Sequence, residues 1–194
     1  MPRELYISAD VEADGPIPGP YSMSSVGMAA AATFDGTTFT RLDPAADTFY
    51  RELRPISDRF EPAAAAVSGL NRDELARTGA PPAEAMAANV AWIAGVADRH
   101  RARPVFVAYP LGFDWMFVYW YHVRFTGGSP FGHSGHVDVK TLYATRAGVP
   151  VRAVGKRSMP RELLSDRPHT HHALDDAIEQ ADLFCNVMQW RTDG

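Results

Sequence analysis

The chain has 194 residues, 46% hydrophobic and 22% charged, the composition of an ordinary globular protein with enough length to bury a core without staples. A net charge of −4 argues against a general nucleic-acid coat, and one cysteine, Cys185, rules out an intrachain disulfide framework. No apolar run approaches the roughly 20 residues of a membrane helix, and the N-terminus lacks the order of a signal peptide, so the expectation is a soluble cytoplasmic protein with a single domain over 1–194.

Residues 4–10 read as a strand ending in Asp10. The run 15–20, Gly-Pro-Ile-Pro-Gly-Pro, must be a loop, because its prolines lack donors. Residues 23–34 and 38–42 pair across the turn signal Asp35-Gly36, and 49–53 supplies a third antiparallel strand. Short helical pieces follow over 62–67 and 72–78. A longer helix over 81–101 carries Met86, Val90, Ile93 and Ala97 at helical spacing. Residues 104–109 form a continuous apolar run, as in a buried parallel strand. Residues 113–125 suit a buried helix and 137–147 a shorter one. The stretch 149–168 is irregular, and Thr170 is the expected cap of a last helix over 172–190. The order β-β-β-α-β-α-α predicts an α/β protein, a mixed sheet flanked by helices in three layers.

Three places carry chemistry. Asp10 and Glu12, two apart on a strand, share one face with side chains about 7 Å apart. Two carboxylates that close repel unless a cation lies between them, and hard ions such as Mg²⁺ or Mn²⁺ suit oxygen donors. Asp114 opens the second apolar helix and shares its face with Phe117, Val118 and Tyr121; an acid on such a face needs a partner. On the last helix, Asp175, Glu179, Asp182 and Asn186 fall on one polar stripe, whereas Asp176 lies with Gln180, Leu183 and Val187. Asp176 is therefore expected to face protein and Asp175 water, with His171 ahead of the helix body.

Asp-x-Glu on the first strand, Phe-Asp after a buried strand and His-x4-Asp on a terminal helix together resemble the motifs of the DEDD exonuclease superfamily, in its DEDDh branch, which includes oligoribonuclease, RNase T and the proofreading exonucleases. The run YPLGFDWMF with HALDDA is most similar to small stand-alone RNase T-like exoribonucleases of bacteria. The resemblance implies an RNase H-like fold and 3′→5′ removal of mononucleotides with two divalent ions, Mg²⁺ or Mn²⁺. It makes Asp10, Glu12, Asp114 and Asp176 the metal-binding acids and His171 the general base, with a homodimer as the expected assembly. Two ions about 4 Å apart suit an in-line phosphoryl displacement, and a histidine titrates where it can take a proton from water.

The sequence departs from the family where relatives often read His-Asn-x-x-Phe-Asp and this chain reads Tyr109-Pro110-Leu-Gly-Phe-Asp114. It also has Ala13-Asp14-Gly15 where Thr-Thr-Gly is frequent, and both departures bear on substrate preference. Ala13, Met23 and Phe113 are candidate base or sugar contacts, with core packing the favoured role for Phe113, and 15–20 is a candidate lip over the terminal nucleotide. Residues 140–167 hold seven Lys/Arg against two Asp/Glu, a local +5 in a chain that sums to −9 elsewhere. Arg152, Lys156, Arg157, Arg161 and Arg167 are accordingly candidates to track phosphates, and a solvated loop is the alternative. Irregular spacing and one cysteine argue against zinc held by His133, His136, His169 and His172. The expected partner is the 3′ end of a single strand, RNA before DNA. The alternatives are a DNA exonuclease and a binding module on an inactive nuclease fold, which the full set of acids disfavours.

Overall fold

Strand β1 (Glu4–Ala13) sorts its side chains by parity in a computed structural model that describes residues 3–191. Leu5, Ile7, Ala9, Val11 and Ala13 enter one core cluster, and Tyr6 enters the other. Ser8, Asp10 and Glu12 share the parity of Tyr6, so the acids stand on the opposite face from the odd-numbered apolar residues. Both faces of β1 are covered, which is why the strand is nearly continuous in buried residues.

The remaining strands are β2 (Met23–Phe34), β3 (Phe39–Arg41), β4 (Thr48–Glu52), β5 (Arg103–Ala108) and β6 (His136–Asp138). They form one mixed sheet in the order β3-β2-β1-β5-β6, with β4 also on β2. β2 runs antiparallel to β1, β3 and β4, while β5 is parallel to β1 and to β6. The helices are α1 (Pro62–Ala65), α2 (Arg72–Thr78), α3 (Pro82–His100), α4 (Leu111–Thr126), α5 (Val139–Ala147) and α6 (Ala173–Gln189). Met86 and Ile93 of α3 and Phe117 and Tyr121 of α4 pack on one side of the sheet. Tyr143 of α5 and Leu183, Phe184 and Val187 of α6 pack on the other. The three-layer α/β expectation holds.

Three local expectations are corrected. The expected helix over 137–147 begins only at Val139, because 136–138 is spent on the edge strand β6 and Asp138 caps the helix by accepting the Thr141 N–H at 3.1 Å. The cap of α6 is His172 rather than Thr170, and its ring nitrogen accepts the Asp175 N–H. The piece over 62–67 is helical for four residues only. The irregular stretch 149–168 contains three 3₁₀ turns and is pinned to the core by Val154, Met159 and Leu163. Among the described residues no helix is long and apolar enough to cross a membrane.

Candidate active site

The parallel pairing of β1 with β5 ends at Ser8 and Val107, and the two strands then part to open a cleft. Parting leaves the Ala9 carbonyl and the Tyr109 N–H without ladder partners. Gln180 of α6, buried, satisfies both: its amide donates to Ala9 O and to Ser8 Oγ at 2.9 Å each, and its Oε1 accepts from Tyr109 N at 2.6 Å. The same side chain thus keys α6 to the point where the strands diverge.

Gly27, opposite Asp10 on β2, allows that docking. A Cβ there would stand 2.3 Å from the backbone of Ala173 and Leu174, so the first turn of α6 sits directly on the β2 main chain. Asp176 is carried inward by this contact, at 2% exposure, while Asp175 is exposed. This is the orientation expected from the helix face. Glu179 departs from its expected place on the solvent stripe: it is 5% exposed and paired with Lys156. The 3₁₀ segment carrying Lys156 folds over that side of the helix, which local periodicity does not register.

Asp114 sits in the first turn of α4 at 4% exposure, and its Oδ1 accepts the N–H of Val11 at 3.1 Å. The residue between the two strand acids therefore tethers the third acid to them. Asp176 accepts the N–H groups of Thr170 at 2.8 Å and His171 at 2.9 Å, folding the 169–172 loop back over the helix start. Asp10, Glu12, Asp114, His171 and Asp176 all line one cleft of about 320 Å³ with Tyr109, Phe113 and His169. Ligand oxygens of Asp10, Glu12 and Asp176 lie within 4.8 Å of one another.

So much buried carboxylate is costly without a counter-charge. Burial, then Asp114, Glu12 and Asp176, push the Asp10 carboxyl well above the usual range, with Lys156 opposing. Burial followed by Asp176 raises Glu12 to about 7. Asp114 is also raised, first by burial, although the Val11 N–H holds it back. An all-oxygen set, converging and starved of positive charge, fits a hard divalent cation.

The other candidates divide. Phe113 is 38% exposed and lines both this cleft and an adjoining depression of about 240 Å³, where it meets Ala13, Gly15, Pro16 and Val67. The core packing expected of Phe113 is corrected: its ring is left open to the cleft. Met23 is corrected: it is fully buried, because β2 is covered along both faces, and it presents no surface to a base. Asp14, in the position that departs from Thr-Thr-Gly, is structural. Its carboxylate accepts the Ser22 N–H and pairs with Arg72 at 3.1 Å, closing the 15–20 loop. Of the basic candidates, Lys156 pairs with Glu179, Arg161 with Asp166 and Arg167 with Asp182. Arg152 and Arg157 are exposed and form no ion pair among the described residues.

Sequence reasoning weighed His169 only as a zinc ligand beside His133, His136 and His172, and argued against it; it put Gln180 on the inward face with Asp176 and gave it no role. His169 Nδ1 lies 3.1 Å from Asp176 Oδ2. The available signal was His169-Thr170-His171, a pair of imidazoles two residues apart just ahead of a buried acid.

No protein-family model matches the sequence. Over 182 residues the chain is 35% identical to the 3′-5′ DNA exonuclease Cap18 of Escherichia coli, covering 94% of this chain and 90% of that protein. Among solved structures, the nuclease domain of 3′hExo, a DEDDh family member bound to rAMP, superposes with a TM-score of 0.67 at 12% identity, covering 96% of this chain and 92% of that one. E. coli Exonuclease I in complex with a dT13 oligonucleotide gives 0.60 at 14% identity, over 98% of this chain but 42% of that larger one. A 3′-exonuclease recognising the histone mRNA stem-loop gives 0.69 at 12% identity, over 96% of this chain and 63% of that one. These likenesses carry the RNase H-like fold, and the E. coli relative carries the family. The chain is a 3′→5′ exonuclease and belongs to the family of its E. coli relative.

Proposed function

We propose that this enzyme removes nucleoside 5′-monophosphates one at a time from the 3′ end of single-stranded DNA, with Asp10, Glu12, Asp114 and Asp176 holding two divalent ions, Mg²⁺ or Mn²⁺. The observation that supports the site is the convergence of four acids from β1, α4 and α6 in one cleft, three of them nearly fully buried. Bound there, divalent ions offset the carboxylate charge and stabilise charge developing on a phosphoryl group. The ring of His171, exposed at the mouth, takes a proton from the attacking water. The water oxygen bonds to phosphorus as the bond to the preceding 3′-oxygen breaks, and that oxygen leaves as the new 3′-hydroxyl by taking a proton from solvent. Phe113 offers an exposed ring on which a terminal base can stack regardless of its identity. Arg152 and Arg157, exposed and in no ion pair among the described residues, are the basic candidates whose charge is free to meet upstream phosphates.

DNA takes precedence over the RNA suggested by the motif resemblance because the 35% identical relative is named for DNA and spans 94% of this chain. Rates on matched 5′-labelled DNA and RNA strands of one sequence test this. We expect a ladder shortening from the 3′ end, abolished by EDTA, with kcat/KM about 10-fold or more in favour of DNA. An equal or higher rate on RNA contradicts the substrate reading, and internal cleavage contradicts the mechanism. His171→Ala should lower kcat by about 10²–10⁴-fold, the range for a lost general base.

A further inference from the structure

The exonuclease reading uses His171 and leaves its neighbour His169 without a task. His169, His171 and Asp176 each offer one ligand atom, and the three atoms lie within 4.8 Å of one another. Nδ1 of His169 and Oδ2 of Asp176 are 3.1 Å apart. Two ligands on one small ion, each bonded at about 2 Å in a tetrahedral arrangement, stand at roughly this separation. The two imidazoles meet edge to face with centroids 4.6 Å apart. The loop enforces the meeting: Asp176 accepts the backbone N–H groups of Thr170 and His171, and His171 takes a left-handed φ of 59°. Both rings are exposed, so they can turn the remaining distance without disturbing the core. The ring nitrogens of His171 make no hydrogen bond among the described residues.

The other histidines do not share this arrangement. The ring of His172 is directed back to its own helix start and rests on Tyr50 at 4.5 Å. His136 packs on Trp115 at 4.8 Å, and His122 is buried in a hydrogen bond with Asn89. The donor chemistry also separates this set from the acid pair. Two imidazole nitrogens with one carboxylate suit zinc and its neighbours in the transition series, whereas carboxylates alone suit magnesium and manganese. Asp176 belongs to both sets.

We propose that His169, His171 and Asp176 form a second metal site, selective for a borderline transition ion such as Zn²⁺, whose occupation halts the exonuclease by withdrawing His171 and Asp176 from the acid site. The binding half stands on the loop geometry alone; the inhibitory half rests on the proposed function. Calorimetric titration of the full chain with Zn²⁺ in excess Mg²⁺ tests the binding, with Co²⁺ as a second probe read by its visible absorption. Wild type should take one Zn²⁺ per chain with a micromolar or tighter Kd. His169→Ala should weaken it about 10-fold or more, while Glu12→Gln should stay within about 3-fold. His169→Gln serves if the alanine variant is misfolded by circular dichroism. Equal affinity in wild type and the His169 variants, or a loss confined to Glu12→Gln, puts the ion in the acid pair and overturns the site. Because binding is read as heat, a chain without nuclease activity still tests it. A working nuclease whose turnover ignores Zn²⁺ at concentrations that saturate the site overturns only the inhibition.

Discussion

Glu12 concentrates the electrostatic problem of the molecule. Its carboxyl is raised from 4.5 to about 7 by burial and by Asp176, and Asp10 and Asp114 shift in the same direction. A carboxyl raised on folding binds more protons folded than unfolded between those two values. Its contribution to stability is therefore fully present below the unfolded value and is lost as pH rises through about 7. Without divalent metal, the melting temperature should fall by at least ~3 °C between pH 5.5 and 8. Millimolar Mg²⁺ or Mn²⁺ should close that gap by binding the ionised acids, raising Tm more at pH 8 than at pH 5.5. Scanning calorimetry with and without EDTA measures both; a metal-free protein that is more stable at pH 8 contradicts the account. At this scale the sequence was informative about which acids matter. Alternation on β1 put Asp10 and Glu12 on one face, and helix geometry separated buried Asp176 from exposed Asp175. It failed where another segment decides burial, as when the turn carrying Lys156 covers Glu179.

Among the elements, α6 does most to assemble the site, since it carries Asp176, Gln180 and Glu179 and docks through Gly27. Because a Cβ at Gly27 would meet helix backbone rather than a flexible side chain, relief requires moving the first turn of α6 or bending β2. Overpacking of this kind costs about 1–3 kcal/mol. Gly27→Ala should therefore lower Tm by several degrees, at about 2–4 °C per kcal/mol for a chain of this size. It should also reduce turnover about 10-fold or more, since displacements near 1 Å are costly in positioned chemistry. A variant with wild-type kcat would show that the contact does not position Asp176. The sequence marked most of these elements, because β1, β5, α3, α4 and α6 each carry a long apolar pattern. It missed β6, three residues at a sheet edge with no room for a period, and it placed Met23 near substrate because an apolar strand gives no sign that both of its faces are covered.

In the whole molecule, the arrangement is economical in its use of the sheet: two parallel strands part, a helix enters from each side, and four acids meet where they part. The motif resemblance identified that constellation in advance because each acid ends or begins a strongly periodic element. His169 was set aside as a metal ligand on its spacing, because it reaches Asp176 through an irregular loop, where spacing in sequence says little about distance. The claim that joins the scales is that Asp176, turned inward, completes the acid site and Asp175 does not. Single-turnover release of the 3′-terminal nucleotide from a 3′-labelled DNA strand in Mg²⁺, compared for Asp175→Asn and Asp176→Asn, tests it most directly. The account predicts that Asp175→Asn stays within about 3-fold of wild type and that Asp176→Asn loses about 10²-fold or more. The reverse order, or equal loss in both, would contradict it.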